Sequence, residues 1–202
     1  MALFGLFGSS FRRRGLVIRP GIRRLVLVLF FMAGAFCPSP GNFTAQQPEA
    51  SQVQVKAIWL YRFILGTDWP EEVFPNPAAP YVLGVLGIDP FGPFLEGMTK
   101  KVVRNRPIVV KHYARAEEAR DCHLLFISAS EESNLETIAE YLRDAKILTV
   151  GESDRWTKVG GVVSFALGTK DTFRVSKKAL KNLENLGVKT SSDLMGMGKR
   201  IP

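Results

Sequence analysis

Cys122-His123-Leu124-Leu125-Phe126-Ile127-Ser128 and Lys146-Ile147-Leu148-Thr149-Val150 are two short, almost wholly apolar runs. Between them Leu135, Ile138, Ala139 and Leu142 recur at helical spacing, and Ser133 with Glu136 makes a capping-box pattern at the start. A strand that is apolar on both faces must be covered on both faces. A helix between two such strands is a crossover. The unit therefore predicts a parallel sheet inside a layered α/β domain.

Residues 81–87 and 107–113 read as further strands. Residues 161–167 and 172–176 face each other across Gly168-Thr169-Lys170-Asp171 as a hairpin, and 177–186 form a last helix with Leu180, Leu183 and Leu186 inward and Gly187 as its stop. The expected fold is α/β: a three-layer sandwich built on a mixed, mostly parallel sheet, with helices on both faces and a C-terminal β-hairpin.

Upstream, residues 1–45 hold six arginines and no acid, followed within that stretch by an apolar run from Leu25 to Cys37 and the breakers Pro38, Pro40 and Gly41. This is the pattern of a signal peptide for export, and about 13 apolar residues fall short of the roughly 20 needed to span a bilayer. Cleavage is expected after Ala33-Gly34-Ala35 or near Ala45, leaving 46–202 as a single exported domain. The chain carries 27 basic and 19 acidic residues; without the leader arginines this falls to 21 against 19. The high charge belongs to the leader, so no nucleic-acid partner is expected. Lys177, Lys178 and Lys181 cluster on the last helix and read as a solvated face.

Chemistry is sparse. One cysteine, Cys122, remains beyond the leader, which excludes an internal disulfide. Cys122 and His123 are neighbours on a strand, so their side chains point to opposite faces and cannot act as a pair. His112 is the other histidine, and three scattered residues make no zinc spacing. No catalytic residue, metal ligand or cofactor is assigned.

Two places could bind something. Gly87-Ile88-Asp89-Pro90-Phe91-Gly92 follows a strand, and ligands of open α/β sheets favour the carboxyl ends of strands. Asp89, Phe91 and Gly92, with Gly151 at the end of the 146–150 strand, are the candidate ligand contacts. The second place is the helix at 52–65. Val53, Ala57, Leu60, Tyr61 and Ile64 form one stripe, and Trp59 and Phe63 fall on the far side. Those two aromatics are either buried by a second layer or exposed to a partner. With Trp156, Phe165 and Phe173 near the terminal hairpin, they are the candidate partner contacts.

The ordered series Gln54-Val55-Lys56-Ala57-Ile58-Trp59-Leu60-Tyr61-Arg62-Phe63 with Trp69-Pro70, Gly87-Ile88-Asp89-Pro90-Phe91-Gly92, Cys122-His123-Leu124-Leu125-Phe126-Ile127 and Leu148-Thr149-Val150-Gly151 resembles the YfiR-like family of periplasmic proteins. Gly160-Gly161-Val162-Val163-Ser164-Phe165, Phe173-Arg174-Val175 and Lys189-Thr190-Ser191-Ser192 continue the resemblance. It implies a non-enzymatic regulator of an inner-membrane sensor, either a diguanylate cyclase or a histidine kinase, acting on cyclic-di-GMP signalling and biofilm formation. It also implies an α/β sandwich that is often a homodimer. Arg62 stands where the family often has asparagine, and Gly66 where an aromatic is common. The alternative class is a binding module for a small ligand or cell-wall fragment at Asp89 and Gly151.

The leader gives a direct expectation. N-terminal sequencing of protein from the envelope fraction should start between Phe36 and Gln46; intact Met1 recovered from the cytosol would refute export.

Overall fold

The computed structural model describes residues 47–166 and 172–202, without the side chains of 47–51. The leader reading of 1–45 and the turn at 168–171 lie outside the described residues.

Helix α1 (Gln47–Leu65) is followed by β1 (Thr67–Asp68), a 3-10 turn (Glu71–Val73), β2 (Tyr81–Leu86), the short α2 (Pro93–Glu96), β3 (Val102–Val103) and β4 (Arg106–Tyr113). A 3-10 segment (Ala116–Asp121) leads to β5 (Leu124–Ile127), and another (Ala129–Asn134) leads to α3 (Leu135–Leu142), β6 (Leu148–Gly151) and α4 (Trp156–Val159). The remainder is β7 (Val163–Phe165), β8 (Phe173–Ser176), α5 (Lys177–Asn185), β9 (Lys189–Thr190), α6 (Ser192–Gly196) and β10 (Lys199–Ile201).

The main sheet has the order β10-β8-β7-β6-β5-β2-β4-β3, and β1 with β9 forms a separate two-stranded ribbon. Strands β4, β2, β5, β6 and β7 run parallel. β8 lies antiparallel on β7, β3 antiparallel on β4, and β10 parallel to β8. The mixed, mostly parallel sheet is as the apolar runs predict, and the β7–β8 pairing (Val163 opposite Val175, Phe165 opposite Phe173) is that of the expected hairpin.

All six residues of β2 are buried. Tyr81, Leu83 and Val85 enter a larger core with Ala57, Leu60, Phe63 and Ile64 of α1, while Val82 and Leu86 enter a smaller one with Ile138 of α3 and Trp156 of α4. Cores on both faces make the three layers. Each of the fully buried aliphatic and aromatic side chains of α1 contributes about 1.5–3 kcal/mol by leaving water.

Two local expectations need correcting. Phe63 is fully buried, whereas Val53 and Tyr61 are only partly so. A helix lying across several strands buries a wide arc, and Phe63 sits only about 60° round the axis from Leu60. The capping box is also not formed. Asn134 caps α3 without a side-chain bond, Ser133 bonds Asn134, and Glu136 pairs with Arg155. The chain is already wound by the preceding 3-10 segment, which Ser128 caps through the amide of Ser130, so the helical turn begins upstream of Ser133.

Trp156 is the largest fully buried side chain. Two glycines make its slot: a Cβ on Gly151 would lie 2.4 Å from the Trp156 side chain, and one on Gly161 2.0 Å from its indole nitrogen. Gly161→Ala should therefore lower stability by about 1–3 kcal/mol, the usual cost of overpacking. Gly196→Ala, with nothing within 4 Å of the added carbon, should leave the melting temperature unchanged or slightly raised. Equal melting temperatures for the two variants would contradict this packing.

Candidate functional site

Chain order places the natural crevice of the sheet. β2 leads to β4 on one side, and β4 then crosses back to β5 on the other, so the loops after β2 and β5 flank the topological switch point where such folds bind ligands. Here those loops hold each other. The Ile88 amide donates to Ser130 Oγ at 2.9 Å, and a Cβ on Gly87 would lie 2.3 Å from that same oxygen. Gly87 has φ +84, a conformation that glycine takes without steric cost.

The four candidate ligand residues separate accordingly. Asp89, Phe91 and Gly92 share one loop, and Gly151 ends a strand on the far side of β5. Asp89 Oδ1 accepts from the Phe91 amide at 2.7 Å, and its Oδ2 lies 2.8 Å from His112 Nε2. Phe91 is buried and stands edge-on to Phe126 with centroids 4.7 Å apart. Gly151 is filled by Trp156. Burial thus removes Phe91 and Gly151 from solvent, while half-buried Asp89 and exposed Gly92 remain on the surface.

Beside this edge lies an ion pair that sequence spacing could not reveal, because its members are 96 residues apart. Lys56 Nζ sits 2.5 Å from Glu152 Oε1, with side chains 12% and 20% exposed. The other carboxylate oxygen accepts from the Ala129 amide at 3.0 Å. Glu152 thereby ties α1, the end of β6 and the loop after β5 to one another. Arg106 is a second hidden cation: it stacks 3.8 Å over Phe74 and donates to the carbonyls of Asn76 and Ala79.

Of the five candidate partner residues, Trp59, Phe63 and Phe173 come together, with ring centroids 4.8–6.0 Å apart. Phe165 is near Phe126 in the same core, and Trp156 lies in the opposite one. Phe63, Phe165, Phe173 and Trp156 are all buried, which corrects their reading as contact residues: the three phenylalanines lie in the core between α1 and the sheet, and Trp156 lies in the core on the sheet's other face. Trp59 alone is half-buried, with the Arg62 guanidinium 4.9 Å above its ring. Around it, Ile58 and Leu65 are 47% and 42% exposed. Together with Arg62 they form the outer stripe of α1 at spacings of four and three.

The titratable groups near Cys122 are set for packing. Burial pushes the Cys122 thiol up to about 12, so it is not the thiolate that nucleophilic chemistry needs. Gly84 makes room for it: a Cβ there would be 2.4 Å from the sulfur. Tyr113 is raised by burial and by its 2.6 Å hydrogen bond to Asp121. His123 points to the other face, in an aromatic cage of Trp69, Phe74 and Tyr81, and its Nδ1 accepts from the Val82 amide at 3.0 Å. Among the described residues no group of three or more His, Cys, Asp or Glu is placed to hold a metal ion. No helix among them is long and apolar enough to cross a membrane.

Across this arrangement, the model of a family described as YfiR/HmsC-like matches residues 53–199. No curated protein matches the sequence. Among solved structures, a conserved domain protein from Vibrio cholerae O1 biovar El Tor is 13% identical, with a TM-score of 0.42 over 76% of this chain and 60% of that one. The ABC domain from Streptococcus pneumonia, solved in complex with L-Trp, is 10% identical, with a TM-score of 0.42 over 77% of this chain and 60% of that one. The chain spans three fifths of the length of each.

His123 makes stability depend on pH. Burial, and next the Arg106 cation, lower its pKa from 6.5 to about 4. A base held neutral in the fold takes up its proton first in the unfolded chain. Its contribution is therefore complete above about 6.5 and is lost as pH falls toward 4, on the order of 3 kcal/mol. Denaturant unfolding at pH 7.5 and pH 5 should show about 2 kcal/mol of this loss, and the His123 ring signals should titrate near 4 in the folded protein. An ordinary midpoint near 6.5 would overturn the assignment.

Proposed function

The chain belongs to the YfiR/HmsC-like family, whose members are in general periplasmic regulators of cyclic-di-GMP signalling, and from that premise we propose that this protein binds and restrains one inner-membrane signalling protein, a diguanylate cyclase. It does so without catalysis of its own, and its output is lower cyclic-di-GMP and less biofilm. The observation that carries this reading is the family match over 147 consecutive residues, 53 to 199, which spans nearly every described element from α1 to β10.

The outer stripe of α1 is the proposed contact. It presents Ile58, Trp59, Arg62 and Leu65 on one helix whose inner arc is fixed in the core. Exposed aliphatics around a half-buried tryptophan and an arginine match the composition that concentrates binding energy at interfaces. Arg62 belongs to that stripe, and it is a position where this sequence departs from the family habit. The proposed partner is accordingly one whose surface complements a cation.

The double variant Ile58→Glu/Leu65→Glu tests the reading. Both sites are exposed, so stability should stay within about 0.5 kcal/mol of the parent. Capture of the cyclase from detergent-solubilised inner membrane should be lost, and cellular cyclic-di-GMP should rise to the level of a deletion strain. A folded double variant that still represses would exclude this helix face. A deletion strain with unchanged cyclic-di-GMP would exclude the cyclase itself.

A further inference from the structure

The sheet is not covered evenly. On the face packed by α3 and α4, cover stops short of the amino ends of β6 and β7, and α5 begins beyond them. Between these helices lies a groove of about 680 Å³, within the 300–1,000 Å³ range of small-molecule sites. It is at the opposite end of the strands from the Asp89 loop. Val162 and Ser176 mark the place: the Ser176 amide donates to the Val162 carbonyl, and the Val162 amide donates to Thr149 Oγ1.

Four cations line this groove: Arg143 from the end of α3, Lys158 from α4, and Lys178 and Lys181 from α5. Among the described residues no aspartate or glutamate side chain lines it. Among the described residues none of the four forms an ion pair with an acid, and Glu140, Asp144 and Glu184, on the same helices or next to them, stay outside the lining. Three separate elements thus deliver like charges to one concavity, and a cleft lined by one sign of charge concentrates counter-ions. The walls are fixed. Asn182 of α5 donates to the Arg143 carbonyl at 2.7 Å, bridging the helices on either side. Trp156 is buried beneath this lining, and its indole N–H has no acceptor among the described residues. A solvated lysine face on α5 accounts for Lys178 and Lys181 alone; it accounts neither for the convergence of Arg143 and Lys158 nor for the polar floor.

We propose that this groove is a binding site for a soluble, phosphorylated small molecule carrying two or more negative charges. The cations relieve their mutual repulsion on such an anion, and half-buried Val159, Ala179 and Leu186 accommodate its uncharged part. The site is independent of the α1 surface and of the cyclase reading, so either can fail without the other.

Calorimetric titration of the purified protein at low ionic strength tests this with pyrophosphate and glucose 6-phosphate as probes. The expected result is saturable binding of one molecule per chain, weakened about tenfold or more by Lys178→Gln/Lys181→Gln and weakened by added salt. Lys100→Gln/Lys189→Gln removes the same charge outside the groove and should bind as the parent does. Absence of saturable binding for both probes overturns the proposal. So does equal weakening in the two double variants, which marks general charge attraction. Groove-dependent binding to phosphatidylglycerol vesicles with neither soluble probe bound also overturns it, and assigns the cations to a membrane surface instead.

Discussion

Strand β2 has no face to spare, and the molecule is arranged around that constraint. Its six residues are buried on both sides, so apolar cover must come from two layers rather than one. α1 supplies the first with Leu60, Phe63 and Ile64, and the 3-10 segment at Ala116–Asp121, α3 and α4 supply the second. The closest approaches follow from the same demand. Gly84 in β2 admits Cys122 and Tyr113, and Gly151 with Gly161 admits Trp156. At these points a methyl group has nowhere to go, which is why small residues sit in the middle of an otherwise bulky sheet.

Polar groups at the centre are consequences of this packing and not signs of chemistry. His123 and Cys122 occupy opposite faces next to β2, and burial keeps each in its uncharged form. Thr157 and Ser164 bond one another under α4, and Glu152 holds Lys56 beside the loop after β5. An ion pair this dry adds modest net stability, because desolvation offsets much of its attraction. What it adds is placement: it fixes α1 in one position over the sheet, so the outer stripe of that helix stands at a defined angle.

The layered fold was legible because it rests on local pattern. Runs such as Leu124-Leu125-Phe126-Ile127 announce two-sided burial within a few residues, and Leu135, Ile138, Ala139 and Leu142 announce a crossover. The face of α1 was not legible. Helical spacing separates Phe63 from Val53 and Tyr61 by angle, but the width of the buried arc depends on how many strands the helix crosses. The candidate crevice was only half legible: the turn at Asp89 could be read, but the bond from Ile88 to Ser130 that closes it joins residues 42 apart. Lys56 with Glu152, and Arg143 with Lys158 and Lys178, are long-range meetings for which no local signal exists.

That division between short-range and long-range information bears on where regulation can reside. The carboxyl ends of β2 and β5 are the usual ligand position in such sheets, and here backbone and hydroxyl groups satisfy one another across it. The amino ends of β6 and β7 carry the opposite condition, with four exposed cations lining one concavity and no carboxylate among the described lining residues. Hydrogen-bonded groups have little to gain from a ligand, whereas like charges lining one cleft gain by sharing a counter-charge. Electrostatics therefore favours the less expected end. The outer stripe of α1 differs again, since its exposed Ile58 and Leu65 gain by leaving water. A macromolecular partner on α1 and a small anion in the groove answer two different physical deficits, and neither requires the other surface to be free.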